Sequence, residues 1–506
     1  MPARADGRFR AGCGITAIWD PQPDLDAAAT VGDALRAVGY DGDSIESLLG
    51  EDGVAAEFDD AVVFARRLPD DTLGETIRLL LLARPVGVGA FPARDALVGL
   101  GLAVVDGDLL VPRARIVPTE GLYLTFDTFS RGDADPPGWV GSFSPTAYWL
   151  ASLTPRRRVA RALDIGTGNG AHALLAARHA GEVVATDVNR RALAFTQISA
   201  ALNGISNVQT RLGSLFDPVE GELFDLITCN APYVISPVSR WQYRDAGFPA
   251  DELSRRVVVE AARHLAEDGF ASVMVSWLAE SEDEPDEHVR AWLDGSGCDA
   301  WILGLSGSDV LDHAAGWNEH LSADPAAYGA AIDEWTRYFE DLGTAWVTEG
   351  AVVMHKRAGH RHIVRANPVD EDELEFASDQ LARVFSTFAA VAHDGDAVLD
   401  GRLRLVDDVR FDQELDHTGA VVSTVLVLDE GTCPDLELDL DTADVLIELD
   451  GKRTLDRAVE RVARREKLSK RQMSALRRDA RRAARELLEL GALTVEPREA
   501  SRRRRS

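Results

Sequence analysis

The feature that most limits the fold of this chain is an apolar segment that runs directly into three alternating glycines. Ala162–Ile165 is apolar apart from Asp164, and Gly166, Gly168 and Gly170 follow it. Glycine tolerates the positive φ angles of a sharp turn and lets a ligand approach the backbone closely. A helix that begins after such a loop offers unpaired N–H groups. The pattern therefore predicts a strand, a nucleotide-binding loop and a helix.

Strand-like and helical segments alternate through the middle of the chain, around this loop. The strand-like runs are Arg161–Ile165, Glu182–Asp187, Val208–Leu212, Phe224–Asn230, Gly269–Trp277, Ala300–Gly304 and Gly350–His355. The helical segments are His172–Ala180, Arg190–Asn203, Asp251–His264, Pro285–Gly295 and Asp324–Leu342. This alternation predicts an α/β fold with a doubly wound, mostly parallel sheet.

Three regions separate by pattern, and we interpret them as three domains. Residues 1–137 combine helical stretches with short strands, which predicts a helical, winged-helix-like recognition domain that ends in the Gly/Asp/Pro-rich stretch Gly132–Gly138. Residues 138–357 hold the α/β sheet. Residues 358–506 predict an α+β domain, winged-helix-like between Glu448 and Thr494, with a basic tail.

Both flanking regions contain mixed elements. In the N-terminal region we expect helices at Ala27–Val38, Ser44–Leu49, Asp71–Ala83 and near Ala93–Val98, and strands at Gly101–Val105, Asp108–Val111 and Tyr123–Phe126. In the C-terminal region we expect strands at Arg402–Glu414, Val421–Asp429 and Leu493–Val495, and helices at Glu371–Val391, Ala443–Leu449, Thr454–Arg464 and Lys470–Leu490.

The composition is that of a water-soluble protein, with 45% hydrophobic and 27% charged residues. No apolar run reaches the roughly 18 residues of a membrane span. No apolar segment follows the arginines near the N-terminus, so a signal peptide is not expected. Cys13, Cys229, Cys298 and Cys433 lie far apart, without metal-ligand spacing. We expect a cytoplasmic protein without a metal site.

Charge is unevenly distributed along the chain. The net charge of −30 disfavours indiscriminate binding of nucleic acid. Basic residues are nevertheless dense in Arg453–Arg485, and the chain ends with Arg502–Arg505 before the last serine. A basic tail on an acidic body is typical of a segment directed to RNA or a ribosome. A solvated helix face with a frayed terminus is the alternative.

The glycine loop by itself fits two cofactor classes. Gly166, Gly168 and Ala171 match the spacing of a dinucleotide fingerprint, which would indicate a nicotinamide-dependent oxidoreductase. Asp164 argues against this, because its carboxylate would repel a pyrophosphate. It would instead suit the positively charged amino group of S-adenosylmethionine. Asp187 ends the next strand, where an acid can accept hydrogen bonds from ribose hydroxyls, or can cap the following helix.

The fourth strand ends in Asn230-Ala231-Pro232-Tyr233, which suits methyl transfer to a planar nitrogen. The Asn230 oxygen and the Ala231 carbonyl can accept the two N–H groups of an amide or exocyclic amine and draw the nitrogen lone pair out of conjugation. Pro232 stiffens the turn, and Tyr233 can stack on the substrate. Catalysis would then consist mainly of positioning and electrostatics. An ordinary strand-end turn is the alternative.

These motifs resemble those of class I S-adenosylmethionine-dependent methyltransferases of the small-domain superfamily, which includes release-factor glutamine and ribosomal-RNA guanine methyltransferases. The resemblance covers the middle region and implies a Rossmann-like methyltransferase sheet. It further implies that a loop at Phe143, Ser144 and Thr146 covers the methionine end of the cofactor, although Ser144 could simply cap a helix. It implies an adenine contact near Ser214, where relatives often carry an acid.

The predicted site comprises two overlapping sets. The catalytic set is Asn230, Ala231, Pro232 and Tyr233. The cofactor-binding set is Phe143, Ser144, Thr146, Asp164, Gly166, Thr167, Gly168, Asn169, Gly170, Asp187, Val188, Asn189, Ser214, Leu215 and Asn230.

We expect an N-methyltransferase with a macromolecular substrate, and two substrate classes remain open. The stretch Tyr243–Glu252 resembles the loop of glutamine enzymes and favours a protein such as a translation factor. The basic tail favours ribosomal or other RNA. Ala231, where glutamine enzymes usually carry proline, weakens the first assignment. Two other function classes are a nicotinamide-dependent oxidoreductase and a non-catalytic, cofactor-sensing winged-helix protein.

Overall fold

The computed structural model describes residues 19–50, 61–128, 138–237, 248–282, 286–359, 361–369, 374, 376–428, 431–432 and 436–496. The chain divides into two compact units. One comprises Met1–Val140 with Ala201–Asn203, and the other comprises Gly141–Ala200 with Gly204–Ser506. No helix among these residues is both long enough and apolar enough to cross a membrane.

The first unit contains short helices and two small sheets. Its helices are α1 (Leu25–Val38), α2 (Gly42–Leu49), α3 (Ala61–Phe64), α4 (Thr72–Thr76) and α5 (Arg94–Gly99), and a π-helical turn follows α4 at Ile77–Leu81. Its strands are β1 (Val86–Gly87), β2 (Ala103–Asp106), β3 (Leu109–Pro112), β4 (Ala114–Thr119) and β5 (Leu122–Asp127). They form a sheet of order β1-β3-β2 and a β4-β5 hairpin. Gly107 takes a φ of +58° in the tight turn between β2 and β3.

The second unit is organised around a sheet of eight strands. The strands are β6 (Val159–Ile165), β7 (Ala180–Asp187), β8 (Val208–Leu212), β9 (Phe224–Cys229), β10 (Leu265–Ala279), β11 (Cys298–Asp309), β12 (Trp346–Lys356) and β13 (Val364–Pro368). The helices between them are α6 (Pro145–Ser152), α7 (Ala171–Ala177), α8 (Arg190–Leu202), α9 (Glu252–His264), α10 (Glu287–Trp292), α11 (Val310–Trp317) and α12 (Pro325–Leu342).

The strand order is β13-β11-β12-β10-β9-β6-β7-β8. Strands β6 to β10 are parallel, and β12 is antiparallel to both β10 and β11. Every residue from Phe270 to Trp277 in β10 is buried, as expected for a strand covered on both faces. The predicted α/β fold with a mostly parallel sheet is confirmed.

The sheet order reverses between β6 and β9, because the chain continues from β6 to β7 on one side and later returns to β9 on the other. In open α/β sheets, ligands bind beyond the carboxyl ends of the strands at such a reversal. The residues after Ile165 and after Cys229 therefore face a common crevice. These are the residues of the two motifs.

The C-terminal part of this unit adds helices and two small sheets. Its helices are α13 (Ser378–Asp394), α14 (Leu440–Ile447), α15 (Leu455–Arg465) and α16 (Lys470–Glu489). Its strands are β14 (Arg402–Leu405), β15 (Val409–Leu415), β16 (Val421–Leu428), β17 (Leu436–Leu438), β18 (Asp450–Thr454) and β19 (Leu493–Glu496). The sheets have the orders β18-β14-β19 and β15-β16-β17.

Several elements differ from the sequence-based expectations, which did not include strands β13, β17 and β18. The single strand expected at Arg402–Glu414 is two strands in different sheets, because Asp407-Asp408 forms a turn between them. Strand β13 extends the central sheet by pairing with β11, Val364 opposite Ala300. The central sheet thus includes residues beyond 357.

Candidate active site

The glycine loop and the Asn230–Tyr233 turn touch each other. Gly166 has a φ of +66°, and a Cβ added there would lie 3.6 Å from the Cα of Ala231. Ala231 itself is buried in the main hydrophobic cluster of the unit. The structure therefore brings together two motifs that lie more than sixty positions apart in the sequence.

Asp164 lies beneath this junction, with its side chain only 1% exposed. One carboxylate oxygen accepts a hydrogen bond from the backbone N–H of Ala173 in α7 (3.1 Å), and the other accepts one from the hydroxyl of Thr228 (2.9 Å). Burial raises the pKa of Asp164 to about 6, although the bonds from Thr228 and Ala173 oppose the rise. Asp164 thus anchors the start of α7 and places a carboxylate at the crevice floor.

The loop itself is held by its own side chains and by its glycines. Gly168 has a φ of +56°, and an added Cβ would meet only the Gly166 carbonyl, at 3.9 Å. Gly170 has a φ of +88°, and an added Cβ would lie 2.9 Å from the side chain of Thr196. Asn169 donates to the Gly141 carbonyl (3.0 Å) and accepts from the Ala171 N–H (3.0 Å). The buried Asn169 therefore orients the loop from within.

Asp187 ends β7 and ties the loop to the next strand. One carboxylate oxygen accepts from the Gly168 N–H (3.0 Å), and the other accepts from the Asn189 N–H (2.8 Å). Burial raises the pKa of Asp187, whereas these backbone donors lower it. Asn189, rather than Asp187, accepts from Arg191 at the start of α8 (3.0 Å). A carboxylate can accept more hydrogen bonds than these backbone groups donate, which suits ribose hydroxyls.

Apolar surface lies next to Asp187. The Val188 side chain is 55% exposed. Its two neighbours in the sequence, Asp187 and Asn189, are polar. The segment around Ser214 is tied to the same strand end, because the Gly213 N–H donates to the Asp187 carbonyl and the Thr186 hydroxyl donates to the Leu215 carbonyl. Val188, Ser214 and Leu215 thus lie around the end of β7.

The N-terminus of α6 contacts the acceptor motif. Ser144 caps this helix by accepting from the Ala147 N–H (3.2 Å), so the geometry expected for a helix cap is present. The Thr146 hydroxyl lies 2.9 Å from the Ser144 hydroxyl and accepts from Nδ2 of Asn230 (3.4 Å). Phe143 packs near His172 of α7. Nδ2 of Asn230 is therefore the side-chain atom that faces α6.

Tyr233 sits between Thr146 and an acid that the sequence did not single out. Burial raises the pKa of the Tyr233 phenol, the Glu349 carboxylate raises it further, and the Thr146 hydroxyl lowers it. Glu349 lies in β12 and accepts from the indole N–H of Trp317 (3.2 Å). These two residues lie more than eighty positions after the motif. The sequence around Glu349 and Trp317 carries no local signal of a functional site, because β12 has the pattern of an ordinary buried strand.

Helices α11 and α12 pack on the chain that follows the motif. Ile235, Trp335 and Phe339 belong to one small buried cluster. His313 of α11 contacts the Ile235 carbonyl through Nε2 (3.3 Å). Helices α11 and α12 therefore support the chain segment that follows Tyr233. Residues 243–247, the first half of the Tyr243–Glu252 stretch, fall outside the described residues, as does the basic tail.

The arrangement can bind a nucleoside with a charged amino-acid moiety. Gly168 leaves room for a ligand against the backbone, Asp187 offers acceptors for ribose, Val188 offers an apolar face, and Asp164 offers a carboxylate. These groups match the parts of S-adenosylmethionine. A nitrogen substrate would then meet Asn230 on the adjacent strand end.

Comparison with known proteins agrees with this assignment. Residues 158–299 match the family model described as methyltransferase domain. Residues 158–299 therefore form a methyltransferase domain, with S-adenosylmethionine as methyl donor. The match favours this enzyme class over the nicotinamide-dependent oxidoreductase.

Curated relatives carry more specific names. A ribosomal protein uL3 glutamine methyltransferase of Bradyrhizobium diazoefficiens is 30% identical over 220 residues, which cover 41% of this chain and 63% of the relative. A release factor glutamine methyltransferase of Xylella fastidiosa is 42% identical over 126 residues, which cover 24% of this chain and 45% of the relative. The chain thus spans less than two thirds of the length of these relatives.

Solved structures with a detectable likeness include a methyltransferase from Pyrococcus furiosus. It is 18% identical, with a TM-score of 0.29, and the match covers 47% of this chain and 90% of that structure.

Proposed function

We propose that this chain transfers a methyl group to the side-chain amide nitrogen of a glutamine in a protein of the translation apparatus. The observation that carries the proposal is the placement of Asn230. Its Nδ2 faces the Thr146 hydroxyl, so its Oδ1 remains to accept an N–H from the substrate amide. The names of the relatives support glutamine as the acceptor.

An amide nitrogen is a poor nucleophile because its lone pair is delocalised into the carbonyl group. Asn230 Oδ1 and the Ala231 carbonyl would accept its two N–H groups and hold the lone pair directed toward the methyl donor. S-adenosylmethionine supplies an electrophilic methyl group. As the new N–C bond forms, the bond between this methyl carbon and the donor sulfur would break, and S-adenosylhomocysteine would leave. Positive charge would develop on the nitrogen, and both acceptors would bind it more strongly than in the ground state.

The other residues of the site would position the two reactants. Asp164 and Asp187 would hold the amino group and the ribose of the donor, and Phe143 would cover its methionine end. Tyr233 would stack on the planar amide. Its phenol stays protonated at neutral pH, because burial and Glu349 both raise its pKa. No strong base is required, since the methylated nitrogen loses its proton readily.

The regions outside the methyltransferase domain fit a macromolecular substrate better than a metabolite. We assign residues 1–137 and 358–506 to substrate recognition, by analogy with other enzymes that carry such flanking domains. A substrate in the translation apparatus would place the protein in the cytoplasm.

The test is methyl transfer from labelled S-adenosylmethionine into a cell extract that is then separated into protein and RNA. We expect label in the protein fraction, insensitive to ribonuclease, and mass spectrometry should locate it on a glutamine. Label confined to RNA would contradict a glutamine substrate and favour a base amine. Label in neither fraction would contradict both.

Asn230→Ala separates catalysis from cofactor binding. We expect it to lower the rate of methyl transfer by roughly 100- to 1000-fold, which is the effect seen when one positioned hydrogen-bonding group of an active site is removed. Binding of S-adenosylhomocysteine should weaken by a much smaller factor than the transfer rate. An unchanged transfer rate would refute the role of Asn230.

A further inference from the structure

The exposed face of α16 carries a row of arginines, which we call the α16 stripe: Arg471, Arg478, Arg482 and Arg485. All four are exposed. At 100° per residue they lie within about 60° of one another around the helix axis. The opposite face is buried through residues such as Leu476, Ala480 and Leu487. Packing therefore directs the stripe away from the core.

The segment of the chain around α16 has a net charge opposite in sign to that of the whole protein. The segment from Leu455 to Glu489, which contains α15, a short turn and α16, holds twelve basic and six acidic residues. Its net charge is +6, whereas the whole chain carries −30. A general preference for solubility does not explain this segregation, because acidic residues serve solubility elsewhere in the same chain.

Like charges lie close to one another along this face of the helix. Arg478 and Arg482 are four residues apart, and Arg482 and Arg485 are three apart, so like charges are neighbours on the helix surface. Asp479 forms long contacts with both Arg478 (3.7 Å) and Arg482 (3.9 Å). The two arginines are 76% and 79% exposed, so these contacts are weak. An external anion would relieve the repulsion.

We propose that the α16 stripe binds the phosphate backbone of an RNA. Its length from Arg471 to Arg485 is about 21 Å, enough to contact several successive phosphates. Arginine suits this role because its planar fork donates two parallel hydrogen bonds to one phosphate. The choice of RNA among polyanions rests on the proposed function, which places the substrate in the translation apparatus. The stripe would hold the enzyme against an RNA-bound form of that substrate.

The test is a titration of the full chain with a fluorescent single-stranded RNA at several salt concentrations, read by anisotropy. The variant replaces all four stripe arginines by glutamine, which keeps helix propensity nearly unchanged. Each neutralised phosphate contributes about 0.7 to the slope of log affinity against log salt concentration. We expect the slope of the variant to be smaller by about 3, and its affinity at low salt to fall.

A matched control neutralises four exposed arginines that lie outside both regions assigned to substrate recognition, Arg158, Arg255, Arg263 and Arg337. We expect this control to keep the slope and affinity of the wild type. Circular dichroism and S-adenosylhomocysteine binding verify that both variants are folded. An unchanged slope and affinity in the stripe variant would overturn the proposal, as would a wild type that does not bind RNA.

Two further ligands test the choice of partner. A DNA duplex of similar length, or an acidic peptide of equal charge, that binds more tightly than the RNA would overturn the assignment to RNA. The titration needs no methyl transfer, so its result is independent of the extract experiment. The extract experiment could exclude a glutamine substrate while the titration shows RNA binding. Equally, the titration could exclude RNA binding while the extract experiment identifies a glutamine.

Discussion

Replacing Asp164 by asparagine removes a charge from the floor of the cofactor crevice while keeping its shape. The carboxylate accepts from the Ala173 N–H and from the Thr228 hydroxyl. In the variant, the amide oxygen can still accept from Ala173. The Thr228 hydroxyl can accept from the new amide group and donate to the Leu163 carbonyl, which lies 3.4 Å away. We therefore expect the variant to fold with a thermal midpoint near that of the wild type.

The cost should appear in cofactor binding. A hydrogen bond between a charged carboxylate and a charged ammonium contributes about 1.5–3 kcal/mol. With about 1.4 kcal/mol for each tenfold change, we expect S-adenosylmethionine to bind Asp164→Asn roughly 10- to 150-fold more weakly. The carboxylate of Asp164 is 1% exposed, so little water competes for this interaction.

The affinity of the wild type should also depend on pH. Burial raises the pKa of Asp164 to about 6 in the free enzyme, and only the ionised carboxylate attracts the ammonium. The ligand binds the deprotonated form of Asp164, so the affinity reaches its maximum above pH 6. As the pH drops through 6, the affinity falls by at most about tenfold per pH unit. Asp164→Asn has no carboxylate to protonate, so its affinity should lack this decline.

Isothermal titration calorimetry with S-adenosylmethionine between about pH 5 and pH 8 tests both expectations. Asp225→Asn is the matched control. Its carboxylate also accepts two backbone N–H groups, those of Ala160 and Arg161, but at the opposite end of the sheet. If Asp164→Asn binds as tightly as the wild type and both profiles are flat, Asp164 only anchors α7, and the reasoning from its charge is wrong.

Two further predictions concern positioning and packing. Thr146→Val keeps the branched side chain but loses the hydroxyl that contacts Asn230 and Ser144; a lost hydrogen bond of about 0.5–1.5 kcal/mol should reduce kcat by roughly 2- to 12-fold. Thr146→Ser should restore the rate, and equal rates in all three proteins would argue against this contact. Gly350→Ala should lower stability by about 1–3 kcal/mol in urea unfolding, because the added Cβ would lie 2.1 Å from the Leu303 carbonyl. Gly329→Ala, in α12 with no atom within 4 Å of the added Cβ, should instead stabilise the protein by up to about 1 kcal/mol, and similar effects at both glycines would contradict the packing at Gly350.

The core of the sheet could be predicted because its signals are local. Most of the seven expected strands are apolar runs bounded by polar or glycine residues, and their length can be recognised from neighbouring positions. The same holds for the turn after β9. Strand β13 was not predicted, because five residues with little apolar character become a strand only by pairing with β11. Arg402–Glu414 was read as one strand because alternation continues across a two-residue turn.

The candidate site shows the same division. Asp164, the glycines and Asn230 could be named because each stands at a strand end in a recognisable motif. The closeness of Gly166 to Ala231, and the contact of Thr146 with Asn230, depend on strand order and on the packing of α6. Glu349 and Trp317 adjoin Tyr233 only because β12 and α11 return to this edge of the sheet.

The sequence by itself determined the fold class, the methyl donor and the acceptor motif, because backbone conformation and hydrophobic period are properties of neighbouring residues. The tertiary structure decided which distant side chains meet. Burial in the folded protein raises the pKa of Asp164. The Thr146 hydroxyl orients the amide of Asn230, and the packing of α16 directs its arginines outward. These effects come from burial and from contacts between residues far apart in the chain, which no local pattern contains.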